Sequence, residues 1–298
     1  MTDPLWPAAA TLLRATPLEG RRHASLLGVS TYTTSVTPRS WHATPSAVRE
    51  ALARFSTWSY RDALDLADEV DALDLGDVFD PDGAGGTDRV AQALARASEA
   101  ELHLVLGGDN AATFHALTGL AAGSWAEWGL VTLDAHLDLR DGVSNGSPVR
   151  QLLEAGLDGA HVVQVGLSDF ANSPAYARRA RDAGLSARTR DEVAERGIET
   201  VMREALDRAA EGGRHVYVDL DIDVVDRASV PGCPAALPGG LSARELREAA
   251  RIAGRDPRVR AIDFTEVDVE RDSDDQRTVR LVALAVLEAL AGLARRAR

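Results

Sequence analysis

A chain of 298 residues with 45% hydrophobic side chains can bury a sizeable core, and α/β folds often reach this length as one domain. The formal net charge of −13 argues against nucleic acid and anionic membrane surfaces, since both need basic patches. One cysteine, Cys233, rules out an internal disulfide and suits a reducing compartment; no signal-peptide pattern or 18-residue apolar run is present, so the expectation is a cytoplasmic protein.

In chain order, residues 1–20 read as a loose arm on a single domain spanning 1–298. An apolar run at 24–30 predicts a strand, 45–55 a helix, 72–76 a strand and 80–86 a loop of Asp, Pro and Gly before a helix at 87–99. The next strand, 102–106, closes in Gly107-Gly108-Asp109-Asn110. Its glycines allow a tight turn into a helix, and Asn110 offers an amide oxygen; alone, such turns are common without function. The strand at 130–134 runs into Asp134-Ala135-His136-Leu137-Asp138. A spacing of two puts Asp134, His136 and Asp138 on one face if the backbone stays extended. Two carboxylates and an imidazole then make half of a metal site; a solvated loop is the plainer alternative.

A helix at 148–155, a strand at 161–166 and a helix at 190–211 lead to the strand 216–221, which carries Asp219 and Asp221 and is followed by Asp223 and Asp226. Carboxylates so close among Val, Leu and Ile resist burial because like charges raise one another's pKa, and a bound cation removes that cost. Asp219, deepest in the strand, reads as a residue that orients a ligand. A helix at 242–254, a strand at 259–265 ending in Glu266, and a helix at 275–296 complete the chain.

Strands that are apolar throughout and alternate with helices predict a three-layer αβα domain around a mostly parallel sheet of about eight strands. Ligands of such sheets bind beyond the carboxyl ends of the strands, where the acidic segments fall. Asp134, Asp138, Asp221 and Asp223 would bring about four negative charges together, enough for two divalent cations of the two-metal hydrolase kind. Oxygen donors with one imidazole and no thiolate favour Mn²⁺ over structural Zn²⁺. His23, His42, His103, His115, His161 and His215 read as surface or packing residues, and Cys233 as part of a loop.

In this order the segments resemble the ureohydrolase family, which includes arginase, agmatinase and formimidoylglutamase. Its motifs Gly-Gly-Asp-His, Asp-Ala-His-x-Asp and Asp-x-Asp-x-x-Asp stand here as Gly107 to Asn110, Asp134 to Asp138 and Asp221 to Asp226. The last is followed by Pro238-Gly239-Gly240-Leu241. The resemblance implies an arginase-like fold, two Mn²⁺ ions, a homo-oligomer (trimer or hexamer) and hydrolysis of a small amidine or guanidine substrate. By it Asp134 and Asp221 bridge the ions, His136 and Asp223 complete one, Asp138 and Asn110 complete the other, and Glu266 accepts the substrate's amidinium N–H groups.

Two positions depart from the commoner pattern. Asn110 stands where most members carry a histidine ligand, so its ion is expected to be weakly held. Asn145 stands where arginases carry histidine. With Arg140 two residues past the second motif, both resemble the formimidoylglutamase branch, whose members cleave N-formimidoyl-L-glutamate to glutamate and formamide. Asn145 is expected among the substrate contacts. Arg140 could pair with a substrate carboxylate, as could Arg150 from the next helix; for each the plainer alternative is a surface salt bridge. Asp138 would pass a proton to the departing amine. An agmatinase or guanidino-acid hydrolase releasing urea is the alternative, although Arg140 would repel a cationic tail. A non-catalytic metal-binding homologue is the remoter one, supported by Asn110 alone.

Overall fold

All seven expected strands form, and they stack as parallel neighbours because their apolar side chains have partners on both faces. The structure, a computed structural model, describes residue 3 and residues 5–37 and 43–297; His42 lies outside them. The first half contains β1 (Leu13–Arg14), β2 (Arg22–Val29), α1 (Thr44–Leu52), a hairpin of β3 (Trp58–Ser59) and β4 (Leu64–Asp65), α2 (Leu66–Glu69), and β5 (Val70–Asp77). It continues through α3 (Gly86–Ala95), β6 (Leu102–Gly107), α4 (Ala111–Ala121) and β7 (Trp128–Leu133). The second half contains α5 (Pro148–Ala155), β8 (Val162–Leu167), α6 (Pro174–Asp182), β9 (Ser186–Thr189), α7 (Arg190–Arg196) and α8 (Ile198–Ala209). It ends in β10 (His215–Asp221), α9 (Ala243–Arg255), β11 (Val259–Thr265) and α10 (Arg277–Ala294).

The sheet has nine strands in the order β1-β5-β2-β6-β11-β10-β7-β8-β9, every pairing parallel. Alternation along β6 shows how the layers are built. Leu102, Leu104 and Leu106 join the core under α1, α8, α9 and α10, whereas Val105 joins the opposite core under α3, α4 and α5. The result is the expected three-layer αβα arrangement.

Three features differ from the sequence reading. The sheet gains two short edge strands, β1 and β9; β9 is only half-buried along Ser-Ala-Arg-Thr, so no apolar run marks it. Of the expected loose arm at 1–20, the described residues from Ala9 onward are docked: Ala9 and Leu12 are buried, Ala9 N donates to Phe55 O at 2.8 Å, and β1 pairs with β5. Two apolar residues three apart suffice to dock this segment. The long helix expected at 190–211 divides at Gly197, whose φ of +80° ends α7 and lets α8 begin.

Helices α9 and α10 cross with their backbones almost touching. A Cβ on Gly292 would collide with the Arg251 carbonyl, and one on Gly254 with that of Ala289. Gly292→Ala gains about 1 kcal/mol of helix propensity. It loses more, because the obstructing atoms are backbone and cannot rotate aside; overpacking of this kind costs about 1–3 kcal/mol or more. Calorimetry should show a lower Tm for Gly292→Ala; an unchanged or higher Tm would mean the two helices have room to separate.

Candidate metal centre

The four acidic segments leave four adjacent strands, β6, β11, β10 and β7, at the same carboxyl edge. Register sets their spacing. Leu220 pairs with Leu133, so Asp221 and Asp134 emerge side by side, and Asp221 pairs with Thr265, next to Glu266. Asp134, Asp138, Asp221, Asp223 and Glu266 are all at least 94% buried. Two of them hold strained backbone: Asp138 has φ +52° and Glu266 φ +63°, a left-handed conformation costly for side chains other than glycine and often stored at functional sites.

Two donor groups form here. Asp134, His136 and Asp223 can each offer an atom within 4.8 Å of the others, and so can Asp134, Asp138 and Asp221. Asp134 belongs to both, as a bridging ligand would. His136 Nδ1 lies 2.7 Å from Asp223 Oδ2 and 3.4 Å from Asp134 Oδ1. Backbone amides fix the carboxylates: His136 N donates to Asp134 Oδ1 (2.6 Å), Ala135 N to Asp223 Oδ1 (3.1 Å) and Asp223 N to Asp221 Oδ1 (2.8 Å). Asp134 Oδ2 is buried without a hydrogen-bond partner, an atom whose desolvation only a cation or a proton would offset.

The electrostatics agree. Burial, then Asp138 and Asp223, pushes Asp134 well above the ordinary carboxylate range. Burial raises Asp138 to about 7 and, assisted by Asp109, Glu266 to about 8. Asp221 is raised well above its ordinary value by burial, Asp223, Asp134 and Glu266. Burial opposes the charge on His136, but Asp223 and Asp134 overcome it and push the imidazole up to about 12. Against the cost of burial, the charge and hydrogen bond of His136, with the Ala135 amide, hold Asp223 below its ordinary value. So many carboxylates in one dry place fit divalent cations, and hard oxygen donors with one imidazole fit Mn²⁺.

Asn110 does not present its oxygen to this cluster. Asn110 Oδ1 accepts from Thr113 Oγ1 (2.8 Å) and Thr265 Oγ1 (3.0 Å), and Nδ2 donates to Asp138 Oδ2 at 2.6 Å. Two hydroxyls behind it take up the oxygen, so Asn110, expected as a ligand, here holds Asp138, another of the expected ligands. Arg150 is likewise placed differently. Its guanidinium donates to the Arg140 and Gly142 carbonyls and pairs with Glu154, bracing the loop after β7.

Arg140 is exposed, and among the described residues its guanidinium has no hydrogen bond or ion pair. Its stem lies across Gly146, where a Cβ would come within 2.6 Å of Arg140 Cδ. It lines a cavity of about 150 Å³ with His136, Asp138, Asp221, Asp223 and Glu266. Asn145 lines it too and donates from Nδ2 to Glu266 Oε1 (2.8 Å).

Sequence reasoning missed several contributors. Val36, Thr37, Tyr176 and Ala235 complete the cavity wall. Asn172 holds the second motif from outside, accepting from Leu137 N (2.8 Å) and donating to Ala135 O (3.1 Å). Nothing in the local sequence marks them, since their role exists only once distant loops meet. Asp219 is buried beside Asp263, and both its oxygens lack partners. Cys233 is fully buried.

Comparison with known proteins places this geometry. The formimidoylglutamase of Halalkalibacterium halodurans is 34% identical over 288 residues, covering 93% of this chain and 89% of the relative. The crystal structure of Bacillus subtilis formimidoylglutamase superposes with a TM-score of 0.91 at 29% identity, over 100% of this chain and 95% of that one. Trypanosoma cruzi formiminoglutamase, solved with Mn²⁺, shares the fold with a TM-score of 0.85 at 24% identity, over 98% of this chain and 99% of that one. The family model described as the arginase family matches residues 22–292. That span opens with β2, closes inside α10 and leaves only β1 of the main sheet outside it, and the chain belongs to the arginase family.

Proposed function

We propose that this protein is a manganese-dependent formimidoylglutamase, hydrolysing N-formimidoyl-L-glutamate to L-glutamate and formamide. The observation that carries the substrate is Arg140, a cation without a partner among the described residues, set in the same cavity as four buried acids, Asp138, Asp221, Asp223 and Glu266. In a protein of net charge −13, a carboxylate-bearing substrate needs such a group. Relatives named formimidoylglutamase at 34% and 38% identity support the same reading.

Asp134, His136 and Asp223 would hold one Mn²⁺, and Asp134, Asp138 and Asp221 the other. Two such ions would supply Lewis acidity and make water a nucleophile near neutral pH. Glu266 Oε1 already accepts from Asn110 N (3.0 Å) and Asn145 Nδ2, so its second oxygen is the one to receive the amidinium N–H groups. Asn110 Nδ2 occupies one oxygen of Asp138 and fixes that carboxyl as the carrier of a proton to the departing amine. Arg140 would pair with a substrate carboxylate in bidentate fashion.

Purified protein with excess Mn²⁺ should release formamide and glutamate from N-formimidoyl-L-glutamate, and no urea from agmatine or arginine. Arg140→Ala should raise KM about 10- to 100-fold with little change in kcat, the cost of a charge-assisted hydrogen-bonded pair. Urea from a guanidine, or an Arg140→Ala variant with unchanged KM, would overturn the substrate.

A further inference from the structure

The segment 31–37, between β2 and α1, forms part of the cavity wall through Val36 and Thr37. Its near end is firmly rooted. Asp109 N donates to Thr31 O and Thr31 Oγ1 to Asp109 O, both at 2.9 Å, and Asp82 Oδ2 accepts from Tyr32 N (2.8 Å) and Thr33 N (3.1 Å). Its far end is not. Val36 is 54% exposed, so apolar burial does little to hold it. Among the described residues, the hydrogen bond joining residues 34–37 to the body of the protein runs from Val36 N to Asn145 Oδ1 at 2.8 Å.

The other end of that amide donates to Glu266 Oε1. Asn145 therefore uses both atoms of one rigid planar group, an acceptor for the segment and a donor for the glutamate. Asparagine suits this bridge because it carries a donor and an acceptor on one short side chain; aspartate would set two acceptors against each other. Rotation of the amide plane breaks both bonds together, so neither partner can shift without the other losing a contact. Glu266, with φ +63° and at the floor of the cavity, is held from one side by Asn110 N and from the other by Asn145.

We propose that Asn145 is a positioning residue that couples the segment 31–37 to Glu266, so that the segment's placement and the orientation of the amidinium-binding carboxylate are one equilibrium. The consequence for substrate rests on the reading of Glu266 given under Proposed function; the coupling itself does not. A substrate that engages Glu266 thereby tightens the segment beside it, and a loosened segment frees Glu266 to rotate.

Hydrogen exchange of the Mn²⁺-loaded full chain, read by mass spectrometry over peptides spanning 31–37, tests the coupling without substrate. Asn145→Ala removes the acceptor and should speed exchange in that segment about three- to tenfold, the worth of one hydrogen bond. Glu266→Gln weakens the far end of the bridge and should speed exchange in the same segment. The double variant should exchange no faster than the faster single, the signature of two residues acting on one element. Exchange in Glu266→Gln equal to that of the unaltered protein overturns the coupling, whatever the variants do to turnover. In assays, Asn145→Ala should raise KM about tenfold with kcat within about threefold; an unchanged KM overturns the link from the segment to substrate. An unaltered protein that turns over no formimidoyl substrate defeats the proposed activity and leaves the exchange result to stand or fall by itself.

Discussion

Asp221→Asn is expected to abolish Mn²⁺ binding and cut turnover about a thousandfold or more, while leaving the protein stripped of metal as stable as before or more so. The loss in turnover is the order expected when a preorganised charge at a reacting centre disappears. The stability follows from the same burial that makes the site bind. Asp221 is 3% exposed and is pressed upward in pKa by burial and by Asp223, Asp134 and Glu266. An asparagine keeps the volume and an oxygen to accept from Asp223 N, and removes one of several mutually repelling charges. Mn²⁺ titration by calorimetry, kcat, and Tm in chelator and in Mn²⁺ measure the three parts. The upward shift of Tm with Mn²⁺, which grows as the logarithm of metal over Kd, should vanish in the variant. A variant that still binds Mn²⁺ at the original affinity removes Asp221 from the centre.

Mn²⁺ affinity is expected to climb steeply with pH, because the ions must displace protons. His136, pushed up to about 12 by its carboxylate neighbours, carries a proton across the whole accessible range and must lose it to ligate. Asp138, raised to about 7 by burial, carries another below that pH. Each displaced proton contributes about tenfold in affinity per pH unit. The slope should therefore be at least about two decades per unit below pH 7 and become shallower as pH rises through it. Stability of the protein without metal runs the other way. Asp138 and Glu266 have folded pKa values raised to about 7 and about 8. The folded state thus holds more protons than the unfolded one, and the stability these groups contribute is full below about pH 4 and lost as pH rises through 7 to 8. Thermal melts in chelator and in Mn²⁺ from pH 5 to 8 should diverge, the first falling and the second rising relative to it. Affinity independent of pH would mean the ligands do not hold these protons.

The parts of the molecule legible in the sequence are those where one chemical demand acts alone. Buried parallel strands need apolar side chains on both faces, and 102–106, 216–221 and 259–265 show it plainly. Carboxylates interrupting such runs have no structural excuse, which is why Asp134, Asp138, Asp221 and Asp223 stood out and do converge. Short edge elements are illegible because exposure relaxes the demand: β9 is Ser-Ala-Arg-Thr, and α6 buries only Ala180. Asn110 shows a subtler limit. Its residue type permits either a ligand or a clamp, and what decides between them is Thr113 and Thr265, hydroxyls on a helix and a strand that meet it only after folding. Arg150 is the same case; Arg140 and Arg150 look alike in sequence, and only the loop carbonyls that capture Arg150 tell them apart.

The position of β11 sets the order in which this enzyme can assemble. Among the described strands it is the last in chain order, yet it lies in the middle of the sheet, between β6 and β10. Until residues 259–265 emerge, the sheet can form only as two halves, β1-β5-β2-β6 and β10-β7-β8-β9, each ending in a strand that is buried in the finished protein and would have an unpaired edge. Such edges recruit other strands, including those of neighbouring nascent chains. A product truncated before β11 keeps both edges bare and lacks Glu266. Translation of residues 259–265 thus decides between a closed sheet and a chain primed for aggregation.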